Sequence, residues 1–275
     1  MGNNGHIITA GRVQKVGDNN WNSVVYANGK YVVVGSGYVT SSSDGLNWEA
    51  PKQISMKSHN WISVTYGNGK YVAVDQSDNY ATTSVDGTIW TTPQKTEGMS
   101  GVMLSSVAFG NGRFVTIGNP NKIYYSTDGI NWTVKYNSEP GFREVIYVNS
   151  LFLTLTSSIV MESVDGINWR QRGNHNTSSL NSIAYGNSKY IVVGENKFAI
   201  SENVINWKVT LYYKSMNKII FINDLGFVAV ADNGYIIKFD KTANVISADQ
   251  IKDESGNKIS VRLNGLCAMP TQQIH

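Results

Sequence analysis

The stretch "SSDGLNW", Ser42 to Trp48, sets an acid, a hydroxyl and an indole within seven residues, which reads at first as an active-site signature. It does not stand alone. "SVDGTIW" (Ser84 to Trp90), "STDGINW" (Ser126 to Trp132) and "SVDGINW" (Ser163 to Trp169) repeat it, and "SENVINW" (Ser201 to Trp207) is a worn fifth copy. Asp44, Asp86, Asp128, Asp165 and Asn203 follow one another at intervals of 42, 42, 37 and 38 residues. A fixed period of about 40 residues marks a repeat architecture, in which one unit cannot bury its own apolar faces and must stack on its neighbours.

A second phrase precedes each copy: "SVVYANGKYVVVG", "SVTYGNGKYVAVD", "SVAFGNGRFVTIG", "EVIYVNSLFLTLT" and "SIAYGNSKYIVVG". Each is a strand, a two-residue turn of the Asn-Gly kind and a second strand, the strongest short-range hairpin pattern. A third strand such as "YVTSSS" follows, then the Asp-Gly turn, then a fourth strand opening at the tryptophan. In the first strand a large face (Val24 and Tyr26, Val64 and Tyr66, Val107 and Phe109, Val145 and Tyr147, Ile183 and Tyr185) alternates with a small one (Ser23, Ser63, Ser106, Ser182, Ala108, Ala184). Both faces are therefore expected to be buried and to interdigitate between neighbouring units.

Four antiparallel strands in about 40 residues, repeated, predict an all-β fold, a β-propeller of four-stranded blades. The expected domain is single and runs from 5 to 271. Its blades lie at about 21–50, 61–95, 104–136, 142–172, 180–210 and 216–250, the sixth carrying no box. A seventh would combine 257–271 with 5–16 and close the ring; six blades is the alternative.

The pattern SxDGxxW between the third and fourth strands resembles the Asp-box, or bacterial neuraminidase repeat (BNR), of sialidase-like propellers, in a compact form with one residue fewer between Asp and Gly. The resemblance implies that the boxes lie at the periphery, away from any substrate. The residues agree. Gly45, Gly87, Gly129 and Gly166 supply the positive φ of a tight turn, while the Asp carboxylates accept turn amides and the Ser hydroxyls brace them. Trp48, Trp90, Trp132, Trp169 and Trp207 are expected to plug the gaps between blades. Val204 stands where the fifth copy wants glycine, which predicts a strained or differently shaped turn. Boxes spaced one per blade do not converge on a site, so Asp44, Asp86, Asp128 and Asp165 are structural in this reading.

Function is therefore sought on the opposite rim, where the inter-blade connections and the loops between second and third strands emerge. The inter-blade connections are polar and unlike one another. They carry Lys52, Lys57, Lys95, Lys135, Arg170, Arg172, Lys208 and Lys214 against Glu97 and Glu139, a basic mouth on a chain whose net charge is only +3. Such a mouth attracts an anionic ligand. The expected binding residues are Lys57, His59, Arg143, Arg170, Arg172, His175, Tyr212 and Tyr213, the tyrosines as stacking surfaces. Arg143 and Glu144, with Lys218 and Lys258, are placed around the axial channel.

Several classes are set aside. No run of about 18 apolar residues is present and the start "MGNNGHIITA" has no leader pattern, so neither membrane insertion nor a signal peptide is expected. The charge is too small to call for nucleic acid. The single Cys267, in the apolar stretch "NGLCAM", reads as a structural thiol and excludes an internal disulfide. No cofactor and no metal are expected.

A sialidase would need three arginines for the substrate carboxylate, a Tyr–Glu nucleophile pair and an acidic Asp. Only six arginines exist, Arg12, Arg113, Arg143, Arg170, Arg172 and Arg262; Arg113 falls on the box side and the early Arg-Ile-Pro phrase is absent. Other glycosidases need two carboxylates about 5–10 Å apart, for which Glu144 and Glu195 are the pair to nominate. The reading is a non-catalytic, lectin-like or receptor-binding module for a cell-surface glycan or anionic polymer, with a glycoside hydrolase or a protein-binding scaffold as alternatives. The paucity of cysteine and the Asn and Ser content favour an extracellular or virion-associated setting, bacterial or phage-borne, over the cytoplasm.

Overall fold

The computed structural model describes residues 6–9, 12–55, 59–95, 103–119, 121–136, 141–156, 158–174, 178–223 and 225–250. They form six four-stranded antiparallel sheets, the blades of a β-propeller, with no α-helix among them. The inner strands are Trp21–Ala27, Trp61–Gly67, Met103–Gly110, Val145–Val148, Leu180–Gly186 and Met216–Ile222. The outermost are Lys52–Gln53, Gln94–Lys95, Thr133–Tyr136, Arg170–Asn174, Lys208–Leu211 and Val245–Gln250. Sheet order follows chain order in every blade.

The blade count corrects the sequence reading, which favoured seven. Among the described residues, His6–Thr9 and Arg12–Lys15 pair with each other alone, as a two-stranded sheet; the segment 257–271 lies outside the described residues, as do Cys267 and Lys258. The sixth blade needs no borrowed strand, because Val245–Gln250 completes it.

The hairpins fold as their turn residues dictate. Asn28 and Gly29 have φ of 50° and 72°, both left-handed as a type I′ turn requires, and Asn68–Gly69 and Asn111–Gly112 repeat this. In blades four and five a serine takes the second place at positive φ, Ser150 at 59° and Ser188 at 58°.

The core is divided among the interfaces between blades. Val32, Val34 and Val39 of blade one meet Trp61, Val64, Tyr71 and Ala73 of blade two, and clusters of the same build join each later pair. A sixth cluster packs Val16, just past the N-terminal hairpin, on Trp21 and Val33 of blade one, with the Trp21 indole donating to the Val16 carbonyl. Each box tryptophan sits at the edge of one of these clusters, Trp48 on the sixth and Trp90, Trp132, Trp169 and Trp207 on the interfaces with the preceding blade.

The box turn is the same device each time. Ser42 Oγ donates to Asp44 and accepts the Gly45 amide; Asp44 Oδ1 accepts the amides of Leu46 and Asn47, and its Oδ2 the Asn47 side chain. Asn203 reproduces this with one amide oxygen, so the fifth turn keeps the common shape; the strain falls on Val204, a β-branched residue at φ 66°. Blade six, read as lacking a box, turns differently: Asp240 accepts the amides of Thr242 and Asn244 and the Asn244 side chain, and the left-handed residue is Ala243, at φ 73°, three places after the acid instead of one.

Turn hydrogen bonds have a pH consequence. Burial raises the Asp128 carboxyl, but the amides of Ile130 and Asn131 with the side chains of Asn131 and Ser126 outweigh it and bring it down to about 2. Asp44 and Asp165 are held lower still, Asp44 by the amides of Asn47 and Leu46 first, Asp165 by the same set of bonds overcoming its burial. Because these groups ionise more readily folded than unfolded, they favour the folded chain at all pH above the ordinary carboxylate range, about 4, and the contribution is lost as pH falls toward about 2. The melting temperature is expected to drop across that window. In Asp128→Asn it should start lower at pH 6 and fall less steeply; a wild-type melting temperature flat from pH 5 to 2 would contradict this account.

Candidate functional site

The inner strands line an axial cavity of about 560 Å³. Three rings of side chains succeed one another where the inner strands begin. The first, Trp21, Trp61, Leu104, Phe142, Leu180 and Met216, is wholly buried and does not line the cavity. Next come Asn22, Ile62, Ser105, Arg143, Asn181 and Asn217, which line the cavity at its mouth. In five blades the register slips at this residue, a bulge that turns the side chain out of the ladder.

The third ring is Ser23, Ser63, Ser106, Glu144, Ser182 and Lys218. Its serines tie blade to blade: Ser23 accepts the Val64 amide, Ser63 the Val107 amide and Ser182 the Ile219 amide, while Ser106 donates to the Val145 carbonyl. The small face read from the sequence is thus a belt of inter-blade hydrogen bonds. Glu144 holds the serine's place in blade four and does the serine's work, accepting the Ile183 amide at 2.8 Å. Its other oxygen pairs with Lys218 of blade six, across blade five. Arg143 beside it is exposed and has no acidic partner among the described residues.

Other nominated residues scatter. Arg170 and Arg172 both grip the buried carboxylate of Glu162, at 2.7 and 3.3 Å, so part of the basic rim is neutralised by an acid the sequence reading overlooked. Lys52 pairs with Glu49 at 3.3 Å. Tyr212 packs on Phe198; burial first, then its contact with Tyr213, pushes its hydroxyl up to about 12. Tyr213 is exposed, with the Lys214 ammonium 5.2 Å above its ring. Glu195 is exposed on a loop and does not line the axial cavity, so it and the committed carboxylate of Glu144 do not share that space. Lys57, Glu97, Glu139 and His175 lie outside the described residues.

His59 departs most from expectation. It is 4% exposed, not a surface loop residue. Its Nδ1 lies 3.1 Å from Asp75, a carboxylate wholly removed from solvent that also accepts the amides of Asn60, Ser77 and Asp78. One ligand atom each from His59, Asp75 and Asp78 lies within 4.8 Å of the others. With both Asp75 oxygens already taken by four donors, the cluster works as a loop clasp. Arg113, on the box side, donates to the Asp165 carbonyl of the next blade, as Lys70 does to that of Asp128.

No family model matches the chain, and no curated protein is similar to it in sequence. Solved structures do share its shape. Virginiamycin B lyase from Staphylococcus aureus superposes with a TM-score of 0.74 at 10% identity, over 90% of this chain and 88% of that one. YCF48 from Cyanidioschyzon merolae gives 0.64 at 13%, over 87% and 86%. YCF48 bound to D1 peptide gives 0.64 at 17%, over 80% and 77%. At such identities the likeness shows the propeller fold and nothing finer. No helix among the described residues is long and apolar enough to cross a membrane.

Proposed function

We propose that this chain is a non-catalytic binding module whose inter-blade face takes an anionic glycan or other anionic polymer, with one acidic group seated at the axial mouth on Arg143. The observation that carries the reading is the break in the ring of small polar side chains: charge replaces it only in blades four and six, where Glu144 and Lys218 neutralise each other and leave the Arg143 guanidinium over the cavity. A planar guanidinium suits two-point contact with a carboxylate or phosphate; the amides of Asn22, Asn181 and Asn217 beside it are donated to the Trp61 and Met216 carbonyls and to Asp232, which leaves Arg143 to carry the contact. The Asp-box resemblance belongs to this reading, since it puts the repeated turns on the far side. That YCF48 is solved with a peptide supports a partner-holding use of such a propeller; an acidic peptide is the second reading.

Immobilised protein challenged with uronate-rich, sialylated and phosphate-bearing polysaccharides is expected to bind at least one, more weakly as salt rises. Arg143→Ala should weaken that binding at least tenfold. Failure of every acidic polysaccharide, with retention of acidic peptides, would move the assignment to the peptide reading; binding indifferent to Arg143→Ala would end it.

A further inference from the structure

Away from the axis, on the same rim, a cavity of about 420 Å³ opens between blades one and two, lined by Ile54, Ser55, His59, Tyr80, Trp90, Thr92 and Pro93. Its size falls in the ~300–1,000 Å³ range of small-molecule sites. Its lining is mostly apolar, with a histidine set into it. That histidine is held from three sides: its ring lies 4.8 Å from Trp61 and 4.8 Å from Tyr80, and Nδ1 meets the buried Asp75 carboxylate. A carboxylate on Nδ1 fixes the proton there, so in the neutral ring Nε2 is a hydrogen-bond acceptor. Nε2 has no hydrogen-bond partner among the described residues, though the side chain is only 2% exposed. An acceptor on the wall of a cavity can take a hydrogen from a ligand that enters it.

The indole of Trp90 narrows the class of donor. Its N–H is already given to the Gly87 carbonyl, so what it offers the cavity is ring surface. A ligand for this cavity therefore needs an apolar face to lie on Trp90 and Tyr80 and a hydroxyl edge for His59 Nε2, with the side chains of Thr92 and Ser55 at the rim. A pyranose ring has both, in one rigid body; a purely aromatic ligand would cover the rings but leave Nε2 without a donor.

We propose that this cavity is a sugar subsite, separate from the axial mouth, in which an uncharged pyranose stacks on Trp90 and donates a hydroxyl hydrogen to His59 Nε2. It deepens the glycan reading above, yet it needs no negative charge on the ligand and no Arg143. The occupant fits a neutral residue of a longer chain whose acidic group sits at the axis.

Saturation-transfer NMR with uncharged methyl glycosides of glucose, galactose, mannose and N-acetylglucosamine tests it. The expected result is transfer to the ring C–H protons of at least one glycoside, an affinity at least tenfold weaker in Trp90→Ala and in His59→Gln, and no change in Arg143→Ala. Since Trp90 touches the core, fluorine-labelled tryptophan in the wild-type protein supplies a readout without mutation: the Trp90 resonance should shift on titration while that of Trp132 stays. No transfer from any glycoside, an unmoved Trp90 resonance, or transfer lost in Arg143→Ala would overturn the assignment. The last outcome would place the sugar at the axis and leave the axial reading intact; loss of acidic-polysaccharide binding alone would leave the subsite standing.

Discussion

Alanine at Gly129 is expected to destabilise the propeller by about 3 kcal/mol and to lower its melting temperature by roughly 6–12 °C. Two costs combine at this box glycine. Its φ of 75° is left-handed, which costs an L side chain about 1–2 kcal/mol. A Cβ there would also stand 2.5 Å from Cγ2 of Val72, a fully buried side chain of the preceding blade, and forced overpacking costs about 1–3 kcal/mol. Two other glycines separate the terms. Gly69 has the same φ of 75° with nothing within 4 Å of a new Cβ, so Gly69→Ala should cost only the backbone term. Gly67 lacks the positive φ, but its Cβ would enter the Phe109 ring at 2.0 Å, so Gly67→Ala reports packing. Thermal melts of the three variants check the ordering, with Gly129→Ala the least stable; equal melting temperatures for Gly69→Ala and Gly129→Ala would refute the blade-to-blade contact.

That contact shows why some of the molecule was readable from the chain and some was not. Hairpins were legible because Asn28–Gly29 and its counterparts carry their conformational reason in two adjacent residues. Box turns were legible for the same cause, since Ser42, Asp44 and Asn47 satisfy one another within six positions. The "YGNG", "FGNG" and "YGNS" phrases hold a second rule. In Gly67, Gly110 and Gly186 the first glycine is small so that Phe109, Tyr147 and Phe221 of the next blade can lie over it, a requirement visible only once blades are stacked. Blade six carries no such local mark, since its turn at Asp240 places the left-handed residue, Ala243, three positions after the acid and uses no glycine.

Charge was harder still. Arg170 and Arg172 looked free until the sheet register brought Glu162 of the neighbouring strand between them. His59 looked exposed because a loop rich in polar residues gives no sign that Asp75, sixteen residues on, will draw it inward. The axial placing of Arg143, Glu144 and Lys218 was accessible, because aligning repeats shows where serine is replaced. Their pairing was not, since Glu144 and Lys218 lie in different blades 74 residues apart.

Glu144 carries the second large effect, in which stability and binding should move in opposite directions. Glu144→Ala strands the buried Ile183 amide, a loss of about 1–3 kcal/mol, and leaves Lys218 without its anion. The lysine keeps a third of its side chain in solvent, so its own contribution is small and the total is about 2–3 kcal/mol. Glu144→Ser restores the residue found in blades one, two, three and five; a hydroxyl there accepts an amide as Ser63 does from Val107, and the cost should fall to about 1 kcal/mol. Both variants free Lys218 to act with Arg143 on an anion in the cavity. An added cation at partly solvated distance is worth on the order of 1 kcal/mol, so Glu144→Ser is expected to bind acidic polysaccharide roughly fivefold more tightly than wild type while melting slightly earlier. Paired melting curves and binding isotherms on wild type, Glu144→Ser and Glu144→Ala measure both quantities. Weaker binding in Glu144→Ser, with the fold intact, would mean that the carboxylate itself holds the ligand, and the axial mouth would then be a site for a cation or a hydroxyl donor rather than an anion.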